Sequence, residues 1–193
     1  MFMRPCSPPA ETTFRPLSKP AFTKDPRVLA RWERRLSLLA DERGYLLQAT
    51  LTFVNTRPFY DPTARAALKA FLVRFLHVFV VKFEVAWQAS GFLLPHAHLL
   101  LPISSQALPF LKALREKGAK PKRPRYRRKL LPPPFALLRG KVQELPDLSP
   151  LEPLIDFRSS TIATLAMSRD LARYLAKQTY AGMLSPVLVH NLR

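Results

Sequence analysis

The sequence predicts an α+β fold, in which a central, largely antiparallel sheet carries flanking helices. Two observations indicate this class. The hydrophobic pattern changes repeatedly between helical spacing and strand-like runs along the chain. In addition, two strand-like runs, residues 77–88 and 96–103, are separated only by a short segment around Gly91, as in a hairpin. A hairpin inside a mixed series of helices and strands is typical of an antiparallel sheet rather than of repeated βαβ units.

The N-terminal segment is rich in proline and has no hydrophobic period, so we interpret residues 1–24 as an extended arm. Residues 25–193 then form a single domain, because a chain of 193 residues is too short for two comfortable cores. This domain begins with a helix. Asp25 is a favourable cap, Pro26 suits the first helical position, and Gly44 closes the segment.

The middle of the chain predicts a strand, a helix, the hairpin and another helix. Residues 45–54 are apolar, aromatic and β-branched, which indicates a strand. Asp61 and Pro62 repeat the cap-plus-proline start, and the apolar period that follows them predicts a helix to about Leu76. After the hairpin, a helix is expected to begin near Ser104.

The C-terminal part predicts an insertion, a strand and a last helix. Residues 115–147 are basic and rich in proline, which is typical of a loop or insertion rather than a packed element. Residues 154–160 form a short candidate strand. The last helix is expected to begin at Ser168 or Asp170 and to end at Gly182, where glycine suits the C-terminal cap.

The charge balance is the first indication of function. There are 31 Lys and Arg residues against 13 Asp and Glu, a formal net charge of +18. Such a chain attracts polyanions, and the release of counterions from phosphates drives nucleic-acid binding. The basic insertion is either a solvated linker or a loop that contacts DNA. Its candidate DNA-binding residues are Lys120, Lys122, Arg123, Arg125, Arg127, Arg128 and Lys129.

Other features exclude several classes of protein. The single cysteine, Cys6, excludes an internal disulfide and a zinc site built from several cysteines. No apolar run is long enough for a signal peptide or a membrane helix, so we expect a cytoplasmic protein without a membrane partner.

The local pattern most indicative of chemistry is His96-Ala97-His98. Alternate residues of a strand point to the same side of the sheet, so the two imidazoles project together at a separation that suits one metal ion. The apolar run after His98 places the pair at one end of a buried strand. Burial of two histidines is costly unless both find partners, and these partners are either a metal or hydrogen bonds.

The hairpin adds a carboxylate to this pair. If Gly91 lies at the apex, Glu84 is directly opposite His98, and Lys82 lies further along the same face. Two histidines and one carboxylate form a metal-ligand set that leaves coordination positions open for a substrate. A one-residue change in register would turn Glu84 away from His96 and His98.

A second pattern lies on the predicted last helix. Tyr174 and Lys177 are three residues apart, so they lie on the same side of a helix. A tyrosine hydroxyl can act as a nucleophile towards a phosphodiester, and a nearby ammonium or metal ion favours its anionic form. An ordinary amphipathic helix with a half-buried tyrosine explains the same residues.

Three motifs together resemble those of the HUH endonucleases, and among these the rolling-circle replication initiators of plasmid and phage type. ATLTF at 49–53 resembles the first motif of these proteins, which forms a central strand. HAHLLL at 96–101 is similar to the His-hydrophobic-His motif. YLAK at 174–177 resembles the Tyr-x-x-Lys motif. The three occur in the order expected for the family, and the combination is more specific than any one of them.

The resemblance implies a ferredoxin- or RRM-like core and a defined chemistry. A divalent metal ion, Mg²⁺ or Mn²⁺, would be held by His96 and His98, with Glu84 at the position of the third ligand. Tyr174 would attack a phosphate of single-stranded DNA at a replication origin and form a 5′-phosphotyrosine link. Lys177 would orient or neutralise the phosphate. The freed 3′-hydroxyl could prime rolling-circle replication, and the reverse attack would rejoin the strand.

The sequence departs from the family pattern in three respects. Gln178 stands where the two-tyrosine initiators have a second tyrosine, and Tyr180 is too far along to replace it, so we expect a single-tyrosine mechanism. Glu84 is slightly further upstream of His96 than the family pattern implies. No helicase motif follows, so unwinding and synthesis would depend on a host helicase and polymerase.

Alternative functions follow from the same residues. A transposase or relaxase of the HUH class would share the metal site and the tyrosine. A non-catalytic nucleic-acid-binding protein would use only the positive charge, with the histidines and Glu84 in structural roles. A histidine-triad hydrolase is disfavoured, because Leu100 stands where its third histidine would be.

Overall fold

The computed structural model of the protein describes residues 16–87, 93–122, 144–180 and 185–192. Their strands are β1 Pro16–Ala21, β2 Tyr45–Phe53, β3 Phe79–Trp87, β4 Leu93–Leu101, β5 Lys120–Pro121, β6 Ile155–Ala166, β7 Gln178–Tyr180 and β8 Val187–His190. Their helices are α1 Pro26–Leu39, α2 Arg57–Tyr60, α3 Pro62–Leu72, α4 Ala107–Glu116 and α5 Arg169–Ala176, with a 3₁₀ turn at Ser149–Leu151. Within these ranges, no helix combines the length and apolar character needed to cross a bilayer.

Six of the strands form one sheet in the order β5-β6-β2-β4-β3-β8. Every neighbouring pair in it is antiparallel except β5 and β6, which are parallel. Strands β1 and β7 form a separate antiparallel pair. The predicted α+β class, with a largely antiparallel sheet and flanking helices, is confirmed.

Helices cover both faces of the sheet. On the first face, apolar residues of β2, β3 and β4 pack against α2, α3 and α4 and form the larger core. On the second face, a smaller core joins α1 and α5 to the sheet. Its buried residues are Trp32, Leu36, Leu39, Leu46, Val80, Leu100, Ala172, Leu175 and Ala176. The second core covers only one end of its face, and polar residues occupy the rest.

The predicted helix starts at Asp25 and Asp61 are confirmed. The Asp25 carboxylate accepts a hydrogen bond from the backbone N–H of Arg27 at 2.8 Å, and Asp61 accepts one from Thr63 at 2.8 Å. Each bond satisfies a donor that the first turn of a helix would otherwise leave unpaired. The second of these helices is shorter than predicted, because α3 ends at Leu72 rather than near Leu76.

The last helix is also shorter than predicted. It starts after Ser168, one of the two predicted caps, whose hydroxyl accepts a hydrogen bond from the backbone of Leu171 at 3.0 Å. It ends at Ala176 rather than at Gly182, because Lys177 adopts an extended backbone with φ −61° and ψ 148°. The following residues pair with β1, so tertiary strand pairing prevails over the local helical pattern there.

The structure corrects the bounds of one predicted strand and of the predicted insertion. The candidate strand at 154–160 is a longer strand, β6, and lies between β2 and β5. The insertion predicted for 115–147 begins later, because α4 continues to Glu116 and the chain then adds the short edge strand β5. Strand β8 was not predicted, and the residues of β1 were predicted to be part of an extended arm. Most of the basic insertion, residues 123–143, and the apex at Gly91 lie outside the described residues.

Candidate metal centre

The three predicted metal ligands lie on neighbouring strands and share one face. In the β3–β4 ladder Glu84 is directly opposite His96, and Lys82 is opposite His98. The predicted register, with Glu84 opposite His98, was wrong by two residues. The error did not affect the shared face, because a shift of two residues keeps each side chain on the same side of a strand.

The ligand atoms of this group converge on one carboxylate oxygen. Oε2 of Glu84 lies 3.6 Å from Nε2 of His96 and 3.4 Å from Nε2 of His98. All three residues are buried, and their candidate ligand atoms lie within 4.8 Å of one another. This group could hold a metal ion. We refer to Glu84, His96 and His98 as the ligand cluster.

The backbone fixes the orientation of His96. Its Nδ1 lies 3.0 Å from the carbonyl oxygen of Leu94. A carbonyl only accepts hydrogen bonds, so Nδ1 carries a proton, and Nε2 is the nitrogen that faces Glu84. A hydrogen bond of this kind on the far nitrogen is the arrangement that orients histidines in protein metal sites.

Gln48 on β2 holds the second histidine. Its side-chain amide lies 2.6 Å from Nδ1 of His98 and 2.9 Å from Oγ1 of Thr50. The amide nitrogen of Gln48 donates to the threonine hydroxyl and faces Nδ1 of His98, so Gln48 fixes the orientation of the ring whose Nε2 points to Glu84.

Charge and burial set the protonation states of the cluster. Burial raises the pKa of Glu84, but the contacts with His96 and His98 and the charge of Lys82 outweigh it and hold this pKa well below its usual range. The carboxylate is therefore ionised. Burial lowers the pKa of His98 to about 4 against the opposing influence of Glu84, so this imidazole is neutral at neutral pH. An ionised carboxylate and a neutral imidazole are the forms of these side chains that bind metals.

Two lysines neutralise the carboxylate from opposite sides. Nζ of Lys82 lies 2.7 Å from Oε1 of Glu84, and Nζ of Lys177 lies 2.8 Å from Oε2. Burial lowers the pKa of Lys82 to about 8, although the charge of Glu84 opposes this shift. One carboxylate thus has two ammonium partners, both of which are buried.

The donor set fits a divalent metal. Two imidazole nitrogens and one carboxylate oxygen form a set that binds first-row divalent ions with open coordination positions. Among the described residues, three buried side-chain atoms make no hydrogen bond of good geometry: both carboxylate oxygens of Glu84 and Nε2 of His98. Two of them face the centre of the ligand cluster. Because Oε2 is also the partner of Lys177, a metal on this oxygen requires that ammonium to move away.

Tyr174 lies at the same cluster. Its ring centroid is 5.5 Å from that of His98, and Nζ of Lys177 lies 3.4 Å from the centroid of the tyrosine ring. The tyrosine is 41% exposed, so it lies between the buried ligands and solvent. Lys177 follows the helix end rather than continuing the helix, and its ammonium still folds back over the ring. The structure therefore brings together Glu84, His96, His98, Tyr174 and Lys177.

A groove opens beside the ligand cluster at the end of the sheet. Its volume is about 680 Å³, and its walls include Thr52, Pro95, Lys117 and Arg158. Thr52 is the β2 partner of His96, but none of Glu84, His96 and His98 lines the groove. A shift in register between β2 and β6 after Thr50 forms part of the wall. Irregularities of this kind are frequent next to functional sites.

The predicted DNA-binding residues are only partly described. Lys120 and Lys122 are exposed at the edge of the sheet, where β5 pairs with β6. The remaining candidates lie outside the described residues: Arg123, Arg125, Arg127, Arg128 and Lys129.

The role of Gln48 and the contacts of Lys82 were not predicted from the sequence. The features that could have indicated them are the amide side chain of Gln48 within a strand and a lysine two residues before Glu84 in an apolar run. Neither pattern shows that β2 lies beside β4, which is what brings Gln48 to His98.

No protein-family model, curated protein or solved structure matches the chain.

Proposed function

We propose that the protein is a metal-dependent, single-tyrosine endonuclease that nicks and rejoins single-stranded DNA, as the resemblance to HUH replication initiators implies. One observation carries the proposal. A partly exposed tyrosine from α5 lies against a buried group of two histidines and a glutamate from β3 and β4. DNA binding alone does not use this combination, whereas metal-dependent phosphoryl transfer to a tyrosine does.

The reaction is an exchange of phosphate esters. The oxygen of Tyr174 forms a bond to the scissile phosphorus, and the bond from phosphorus to the 3′ oxygen breaks. The phenolic proton is lost and the departing 3′ oxygen gains one, so the charge is balanced. The 5′ end of the DNA remains on the tyrosine, and attack by a 3′-hydroxyl reverses the step and rejoins the strand.

The cofactor would be Mg²⁺ or Mn²⁺, held by Glu84, His96 and His98. When bound, the ion would polarise the scissile phosphate and stabilise the charge that develops on it. Lys177 lies against the tyrosine ring, so its ammonium would stabilise the charge of a phosphate placed beside Tyr174. Gln48 keeps His98 in the orientation that the ligand role requires.

The charge of the chain supports a polyanionic substrate. The net charge of +18 favours DNA in general. At a replication origin, the 3′-hydroxyl released by the nick would prime synthesis by a host polymerase, with a host helicase separating the strands.

Covalent trapping tests the proposal. The protein is incubated with Mn²⁺ and a labelled pool of single-stranded oligonucleotides of random sequence, and denaturing gels report DNA attached to protein. We expect an adduct with the wild type and none with Tyr174→Phe. Tyr60→Phe is the matched control, because Tyr60 is an exposed tyrosine on α2, a helix of the opposite face.

The same experiment separates the alternatives. Sequencing of the trapped DNA shows whether the preferred site belongs to a replication origin, as an initiator requires, or to a transposon end or transfer origin, as a transposase or relaxase requires. DNA binding without an adduct, under any divalent ion, would show a non-catalytic nucleic-acid-binding protein. Adduct formation by Tyr174→Phe at the wild-type level would refute the assigned nucleophile.

A further inference from the structure

Lys82 is a buried lysine to which the proposed reaction assigns no role. It lies in the middle of β3, two residues before Glu84, and is 2% exposed. It is therefore inaccessible to DNA, and an ammonium cannot coordinate a metal. Burial of an ammonium is costly, so its retention requires specific partners.

Its partners lie on two different elements. Nζ is 2.7 Å from Oε1 of Glu84, the carboxylate oxygen that does not face the histidines. The same Nζ donates a hydrogen bond of 2.9 Å to the backbone carbonyl of Lys177, immediately after α5. It also lies 6.0 Å from the ring centroid of Trp32 on α1. One ammonium thus joins the ligand carboxylate to the end of the tyrosine helix.

Helix α5 needs such a connection. It has eight residues, and isolated helices of this length are unstable in water. Its apolar side packs on α1 through Ala172, Leu175 and Ala176. Apolar packing is non-directional, so it tolerates small shifts along the helix axis. A charge-assisted hydrogen bond to the carbonyl that follows the helix is directional and fixes its end.

We propose that Lys82 is a positioning residue that sets the distance between Tyr174 and the ligand cluster by holding the end of α5 against Glu84. The inference deepens the proposed function and rests on it only for the effect on catalysis. A shift of about 1 Å in a reacting group is enough to slow a reaction substantially.

A pair of variants tests the connection without DNA or metal. Glu84→Gln keeps the bond from Lys82 to the Lys177 carbonyl, whereas the double variant Lys82→Met/Glu84→Gln removes it. Lys177 loses its carboxylate partner in both variants, so their difference isolates Lys82. We expect amide hydrogen exchange in α5 to be about tenfold faster in the double variant than in Glu84→Gln. Exchange in the middle of α1 is the internal control and should be unchanged. Equal exchange of α5 in the two variants would overturn the proposal.

The single variant Lys82→Met tests the consequence for the reaction. We expect the rate of adduct formation to fall by about tenfold or more, with unchanged affinity for DNA. Affinity for Mn²⁺ should be retained or increased, because a neighbouring positive charge has been removed. A wild-type rate, or parallel losses of metal affinity and rate, would overturn the positioning role.

These outcomes are distinct from failure of the proposed function. If the wild type forms no adduct with any DNA, the endonuclease proposal fails, and the exchange comparison still decides whether Lys82 holds α5. If Lys82→Met does not fold, the double variant gives the decisive result.

Discussion

The two faces of the β3–β4 hairpin are equally buried and chemically opposite. One face carries apolar residues of the larger core: Val81, Phe83, Val85, Ala97 and Leu99, each no more than 3% exposed. The other carries Lys82, Glu84, His96 and His98, each no more than 6% exposed. Burial of the first set stabilises the fold through the hydrophobic effect, whereas burial of the second is costly unless its members pair with one another. Equal burial therefore does not mean an equal role, and the polar face is where we expect function.

Removal of one metal ligand should have the largest effect. It should abolish cleavage while the protein still folds. We expect His98→Ala to abolish metal-dependent cleavage, because two ligands remain and Gln48 loses its partner. The variant should fold, and Mn²⁺ should no longer raise its melting temperature. Thermal denaturation with and without Mn²⁺, together with the adduct assay, measures both effects. Normal cleavage by His98→Ala would show that the cluster is not the metal site.

A substitution on the apolar face should lower stability and leave metal binding unchanged. Phe83 stacks on Phe53 with ring centroids 5.8 Å apart and packs edge-on against Phe59. Phe83→Ala should lower the free energy of unfolding by about 3–5 kcal/mol, because it leaves a cavity in a close-packed core. Chemical denaturation measures this loss. The fraction that remains folded should bind Mn²⁺ as the wild type does, and weakened binding would show that the two faces are not independent.

A smaller effect within the polar face concerns Lys177. Its ammonium shares Oε2 of Glu84 with any bound metal, so the two cations compete. Lys177→Met should therefore increase the affinity for Mn²⁺ by about tenfold, although it slows cleavage. Titration calorimetry measures the affinity. Arg173→Met is the control, since it removes an exposed positive charge from α5, close to Lys177 in the chain, and should leave the affinity unchanged.

The polar face should also make stability depend on pH. The pKa of His98 is about 4 in the folded protein, against 6.5 for an unperturbed histidine. Between these values the unfolded chain binds a proton that the folded chain does not, so the free energy of unfolding should decrease as the pH falls from 6.5 to 4. Urea denaturation at a series of pH values without added metal measures the slope. His98→Asn should flatten it, and an unchanged slope would assign the effect to other groups.

Much of the fold could be predicted because its signals are local. The caps at Asp25 and Asp61 and the alternation of β4 depend only on nearby residues. The shared face of His96, His98 and Glu84 was also predictable, because it follows from the period of two in a strand. The register itself was wrong by two residues, since that alternation does not specify which residues of the two strands face each other.

The features that were missed depend on contacts between distant segments. Gln48 reaches His98 only because β2 lies beside β4, and the Lys82 ammonium meets the Lys177 carbonyl only because α5 packs on that end of the sheet. The early end of α5 has the same origin, because residues after Lys177 pair with a strand from the beginning of the chain. Single-sequence periodicity contains no information on which segments become neighbours.

The strict alternation of β3 has a consequence for how this protein can change over evolution. A deletion of Lys82 would exchange the two faces beyond that point, directing the carboxylate into the apolar core and Phe83 towards the histidines. A point substitution changes one side chain, whereas an insertion or deletion of odd length reverses a whole segment of the strand. Among descendants of this gene, spacing within the hairpin strands should vary less than the amino acids themselves.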